Sequence, residues 1–263
     1  MHLPLFPFFL IVSSFVLVVS CSSDEYTEVR AYYFPVEALE EGLVYAYAAE
    51  LGDTTERRYW YYRAFPRDSG LFLVGTQYDR FFQINQIVRE KIDASGAIAR
   101  QVWLYELDST RQKVIPVEAV IEADDLFPFW VRDSTGVFLY RLKYRPPFDT
   151  SAEIYLIRNR RYLGAGPDFN FEGKKYPVIR FSVREAVGHQ AEGAAEIEGT
   201  GEEWYAKGLG LVYFCKTFGD KSQIQFAFRL RERFPMRELE RRAAEAFKQK
   251  GEGVHDEYLV PSH

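Results

Sequence analysis

Phe81-Phe82-Gln83-Ile84-Asn85-Gln86-Ile87-Val88-Arg89-Glu90-Lys91-Ile92 is the stretch on which the fold turns. Phe82, Ile84, Val88 and Ile92 share one parity, and Gln83, Asn85, Arg89 and Lys91 share the other. Successive side chains of an extended chain point to opposite faces, so this alternation marks a strand with one face covered. The same pattern recurs on both sides of it. Tyr45, Tyr47 and Leu51 fall together in 43–51, and Phe138, Tyr140, Leu142 and Tyr144 in 137–145. Ile179, Phe181 and Val183 do so in 176–187, and Ile224, Phe226, Phe228 and Leu230 in 223–232. Residues 57–63 are aromatic on both parities, as in a strand covered on both sides. Further strands fit 71–78, 98–107, 114–121 with an edge or bulge at Pro116, 153–157 and 211–218.

Turn chemistry separates these runs, as at Gly52-Asp53-Thr54-Thr55, Ala94-Ser95-Gly96 and Pro146-Pro147. Gly219-Asp220 has the form of a two-residue hairpin loop. Three stretches read as loops: 123–133, the Gly-, Asn- and Arg-rich 158–173, and the acidic, small-residue 188–201, expected to be mobile. Pro235 stands where a first helical residue belongs, and Met236, Leu239, Ala243 and Phe247 make a narrow helical stripe. That helix is expected to cover a sheet edge or a barrel mouth.

Many short alternating strands and one late helix define a mainly β domain over 33–250: a single curled antiparallel sheet, half-barrel or barrel, with a C-terminal helix. A sheet of about ten strands tends to curl or to split into two layers, so a two-sheet sandwich is the alternative. Residues 251–263 read as a flexible tail.

The chain of 263 residues carries 33 Lys and Arg against 38 Asp and Glu, a net charge of −5, which implies no general affinity for nucleic acid. Aromatics make up 17%, with 18 Tyr and 22 Phe, and argue for a well-packed core.

The N-terminal segment has a different character. Residues 5–19 are almost uninterruptedly apolar, Val18-Val19-Ser20-Cys21 closes the run on small residues and a cysteine, and Ser22-Ser23-Asp24-Glu25 is abruptly polar. This resembles the lipobox of bacterial lipoprotein precursors. Residues 8–20 match a signal-peptide apolar region and fall short of the ~20 residues a spanning helix needs. No Lys or Arg precedes the run, a departure from the usual basic start. The resemblance implies a signal peptide over 1–20, removal of that segment, acylation of Cys21 and a lipidated tether over 21–32. It also implies a membrane partner, and an outer-membrane or cell-surface location through the lipid on Cys21. Cys215 then has no intramolecular disulfide partner.

Tyr33-Phe34-Pro35-Val36 with Gly42, and Trp204-Tyr205-Ala206-Lys207-Gly208-Leu209-Gly210-Leu211-Val212, resemble a group of uncharacterised bacterial lipoproteins. Those are similar in turn to the half-barrels of lipoprotein carriers, in which a sheet wraps an apolar interior. The resemblance supplies no catalytic residue. Gly208 and Gly210 are expected to permit a tight turn or a close strand approach.

Catalytic and metal patterns are absent from the sequence. His189 is the single histidine within the domain and has no Cys or second His beside it, so neither a zinc site nor a Ser-His-Asp triad is expected. Cys215, mid-strand between Phe214 and Lys216, is expected to be buried and inert. Asp124-Asp125 and Glu202-Glu203 are adjacent in extended chain and point to opposite faces, which argues against a shared cation site. The arginines and aromatics of 57–63 fit a buried central strand better than a surface for sugars or headgroups. No enzyme activity, cofactor or metal is expected. The expected function is a membrane-tethered protein that holds an apolar small molecule or lipid inside a curled sheet lined by Phe82, Ile84, Phe138, Tyr140, Phe181, Phe226 and Phe228. The alternative is an envelope module with a solid core that meets a protein or glycan through 188–203. A cavity of several hundred cubic ångströms favours the first and a filled interior the second.

Overall fold

The computed structural model describes residues 26–132, 136–189, 196–219 and 224–250. In chain order the strands are β1 (Thr27–Glu28), β2 (Leu43–Leu51), β3 (Arg57–Arg67), β4 (Gly70–Tyr78), β5 (Ile84–Ile92), β6 (Gly96–Asp108), β7 (Lys113–Glu118) and β8 (Val120–Pro128). They continue with β9 (Trp130–Val131), β10 (Phe138–Tyr144), β11 (Ile154–Phe171), β12 (Lys174–His189), β13 (Ile197–Ala206), β14 (Gly210–Phe218) and β15 (Ile224–Phe234); helix α1 (Met236–Lys250) follows.

Twelve strands run antiparallel in the order β5-β4-β3-β2-β15-β14-β13-β12-β11-β10-β8-β6, and pairing of β6 with β5 closes them into a barrel. The sheet is thus neither a half-barrel with an open face nor a sandwich, and closure removes the edges that would otherwise need covering. β7 pairs with β6 outside the closed ring, and Pro116, which has no N–H to donate, sits in that strand.

The registers give the barrel two distinct ends. At one, β2 ends at Leu51, β10 at Tyr144 and β12 at His189, while β11, β13 and β15 begin at Ile154, Ile197 and Ile224. Call this end the mouth. Leu51, Phe148, Ile197 and Ile224 are exposed there. The opposite end is closed by the segment ahead of β2. Val29, Tyr33, Phe34, Val36 and Leu39 are all buried, and the Val29 amide donates to Phe129 O at 2.8 Å. The stretch read as tether is therefore part of the fold from Thr27, which pairs with Val131.

The two motifs that resemble other lipoproteins meet at this closed end. The Gly208 amide donates to Ala31 O at 2.8 Å, and Gly210 packs against the Phe34 ring. Gly208 and Gly210 have φ +75° and +88°, the left-handed region that favours glycine.

Several expectations need correction. Residues 158–173 are not a loop: they belong largely to the 18-residue β11, whose glycines coincide with register shifts between Tyr162 and Gly164 and between Gly166 and Phe169. Residues 123–128 lie in β8. From Ile197 the acidic stretch is β13, hydrogen-bonded to β12 and β14 on its two sides. Phe218 pairs with Ile224, so the connection there spans 219–223 rather than two residues. The helix covers neither an edge nor the mouth. Leu239 and Ala243 pack on the outer surface of the barrel, against Val44, Ala46, Tyr59 and Tyr78. Phe82 and Ile84 lie under the helix with them, because a register shift between Gln77 and Tyr78 reverses the facing of β5 at its start. The tail 251–263 lies outside the described residues.

Candidate functional site

Inside the barrel the closed end is filled with aromatic side chains. Phe34 lies 4.1 Å from Tyr62 between ring centroids, Phe127 4.7 Å from Tyr205, and Phe181 5.6 Å from Tyr162. Above this packing a cavity of about 370 Å³ runs from Tyr33 and Phe34 toward the mouth. Trp60, Leu104, Leu126, Leu142 and Leu156 supply apolar walls. Tyr144, Ile154 and Val187, half-buried, mark where it meets solvent.

The interior is not uniformly apolar, contrary to the expectation from its aromatic faces. Arg58, Glu90, Arg158, Arg160, Glu203 and Lys216 also line the cavity, and Glu185 is buried behind them. Each arrives there by strand parity. Arg58 is two residues from Trp60, Glu90 two from Val88, Arg160 two from Tyr162, Glu203 two from Tyr205 and Lys216 two from Phe214.

Three buried clusters satisfy most of these charges. Arg158 Nε donates to Glu185 at 2.5 Å, and Lys216 Nζ donates to both oxygens of the same carboxylate at 2.7 and 2.8 Å. Arg160 donates to Glu203 through Nε at 2.6 Å and Nη2 at 3.3 Å, and Tyr205 Oη donates to Glu203 at 2.9 Å. Across the barrel, Tyr33 Oη donates to Glu90 at 2.5 Å.

Burial dominates the proton affinities, and the partners decide the sign. Burial pushes Glu185 up, but Arg158 and Lys216 together outweigh it and hold the carboxyl at about 2. Burial opposes ionisation of Glu203 as well, and Arg160 with Arg158 brings it down to about 2. Glu90 lacks such a partner. Burial raises it to about 7, with the Tyr33 hydrogen bond and the more distant Arg160 pulling the other way. Burial and the nearby Arg158 lower Lys216 to about 8, with Glu185 opposing. Burial likewise depresses Arg58, whose guanidinium lies 4.3 Å from the Phe228 centroid and 5.3 Å from that of Phe226.

The residues singled out from sequence are scattered. Cys21 and the signal segment 1–20 lie outside the described residues. His189 is the exposed last residue of β12, at the mouth and away from the interior clusters. Cys215 faces outward between the inward Phe214 and Lys216 and is half-buried rather than buried. Glu202 and Glu203 do point to opposite faces: Glu202 accepts from Trp204 Nε1 at 2.8 Å on the outside, while Glu203 faces Arg160 inside. Asp124 pairs with Arg100 at 3.5 Å, and Asp125 is raised by burial and by Asp124. Tyr59 and Tyr61 of the aromatic strand are covered by the helix, and Trp60 and Tyr62 by the interior. Among the described residues no cluster of three or more His, Cys, Asp or Glu has metal-ligand geometry.

No family profile matches the chain, and no curated protein does. Two solved structures resemble the barrel. One is a candidate exported protein with a YmcC-like fold from Bacteroides fragilis, 14% identical, TM-score 0.50, covering 77% of this chain and 98% of its own. The other is a candidate lipoprotein from Parabacteroides distasonis, 11% identical, TM-score 0.47, with the same coverages. The Bacteroides fragilis likeness shows a shared fold: a mostly β, closed antiparallel barrel with one C-terminal helix.

Proposed function

We propose that the protein is a non-enzymatic, lipid-anchored component of the bacterial cell envelope that holds one small amphiphilic molecule inside its barrel. The cavity carries this reading. At about 370 Å³ it falls at the small end of the ~300–1,000 Å³ typical of ligand pockets. Its walls combine apolar side chains with a few fixed polar groups, the lining expected where one end of a ligand is apolar and the other is not. Envelope location rests on the leader and on Val18-Val19-Ser20-Cys21. The rival module with a solid core needs a filled interior and a free acidic segment at 188–203, whereas 197–203 is the paired interior of the sheet.

Anchor and opening belong to opposite ends of the barrel. Residues 22–26 reach at most about 18 Å even when fully extended. Acyl chains on Cys21 would therefore hold the plugged end beside the bilayer and turn the mouth away from it. Ligand would then enter from the aqueous side.

Native mass spectrometry of the full chain released from membranes tests the reading. A bound mass of a single-chain amphiphile is the expected result, and an empty barrel that also fails to take up a fluorescent lipid would overturn it. In the same cells Cys21→Ala is expected to abolish metabolic labelling by a fatty acid; unchanged labelling would remove the anchor.

A further inference from the structure

The charges in and just behind the cavity wall do not balance. Four cations line it (Arg58, Arg158, Arg160 and Lys216), and they meet three carboxylates: Glu90 and Glu203 in the wall and Glu185 buried behind it. Glu185 accepts from Arg158 and Lys216, Glu203 from Arg160 and Tyr205, and Glu90 from Tyr33. Arg58 is left over. Among the described residues no carboxylate forms an ion pair with it; Glu56, the acid nearest in sequence, acts on it only at longer range and is bridged to Arg80 at 3.4 Å. Its guanidinium is held instead against the Phe228 and Phe226 rings. Lys216 is the register partner of Phe226, so a second cation borders the same ring. Arg160, 4% exposed, also keeps one nitrogen, Nη1, without a hydrogen-bond partner.

A partly buried guanidinium with no carboxylate in contact is unfavourable unless something anionic completes it. Its planar fork matches a carboxylate in two-point contact. We propose that Arg58 is the receptor for the acid group of the bound amphiphile, so that the ligand is a single-chain carboxylic acid whose tail lies along Trp60, Leu104, Leu142 and Leu156. This rests on the cavity being a ligand site, and it names the ligand's chemical class.

The test uses the full-length chain in nanodiscs of zwitterionic lipid and two photoreactive probes of equal chain length, a diazirine dodecanoic acid and the corresponding dodecanol. Cross-linked peptides are mapped by mass spectrometry. The acid is expected to label the strands bearing Trp60, Leu104, Leu142 and Leu156 about tenfold more than the alcohol, the ratio one charge-assisted hydrogen bond typically supports. Arg58→Gln is expected to reduce acid labelling to the alcohol level, and Arg58→Lys to keep most of the preference; circular dichroism checks that both variants fold. Equal labelling by acid and alcohol would overturn the acid site while leaving the cavity as a ligand site. An acid preference that survives Arg58→Gln would overturn the assignment to Arg58. If neither probe reaches the cavity, both the site and the functional reading fall.

Discussion

Replacing Glu90 with Gln isolates one buried carboxyl whose titration destabilises the barrel. Glu90 is buried at about 8% exposure, and burial raises it to about 7 from an ordinary value of 4.5. The groups that act on it are Tyr33, which donates a hydrogen bond, and the Arg160 guanidinium. A carboxyl whose folded-state pKa is raised binds its proton more tightly in the folded chain. Its stabilising contribution is thus complete below about 4.5 and is lost as the pH rises through about 7. One pKa unit corresponds to about 1.4 kcal/mol. The shift of roughly two and a half units therefore costs the wild type about 2–3 kcal/mol between pH 5 and pH 8. Gln has the shape of the protonated acid, keeps a carbonyl oxygen for the Tyr33 hydroxyl and cannot ionise. Urea unfolding of both proteins at half-unit pH steps measures the difference, from which every other titrating group common to the two cancels. The expected outcome is near-equal stability at pH 5, with Glu90→Gln ahead by about 2–3 kcal/mol at pH 8. A difference that does not change with pH, or that changes in the opposite sense, would refute the account of Glu90 as a carboxyl raised by burial.

Three further substitutions probe the plug and the interior. Gly210→Ala places a Cβ 2.4 Å from Phe34 at a backbone φ of +88°, whereas Gly208→Ala at φ +75° meets nothing within 4 Å. The second is expected to cost about 1 kcal/mol and the first at least twice that, because Phe34 must also move; equal losses in urea unfolding would show that the Phe34 contact is slack. Glu203→Gln leaves the Arg160 guanidinium buried without its counter-charge and is expected to cost about 3–5 kcal/mol. A loss below about 1 kcal/mol would mean that the pair is solvated or replaceable.

The barrel was legible in the sequence because its evidence is local: β2, β10, β12 and β15 each announce a covered face through residues two apart. Where that reading failed, glycine or charge masked the alternation. Gly164 and Gly166 suggested a loop in what is β11, since glycine adds no apolar side chain to the pattern and serves equally at a bulge. The charged interior was hidden for a different reason. Glu90 shares the parity of Val88, Glu185 that of Val183, and Lys216 that of Phe214, so period two alone already nominates each for the inside. A hydrophobicity reading discards them, because a buried charge is tolerable only when paired. The partners of these charges are remote along the chain: Glu203 is 43 residues from Arg160, and Glu185 is 31 from Lys216. Parity can nominate an inward charge, but only the register of β11 to β14, with its shift between Trp204 and Tyr205, brings it to its partner. The same logic distinguishes Arg58 from the rest. Its strand parity places it inside like the others, yet the register sets it beside Phe226 and Phe228 rather than a carboxylate. In the proposed reading, an inward charge that the fold leaves without a carboxylate in contact is where a ligand, rather than the chain, supplies the missing half of the pair.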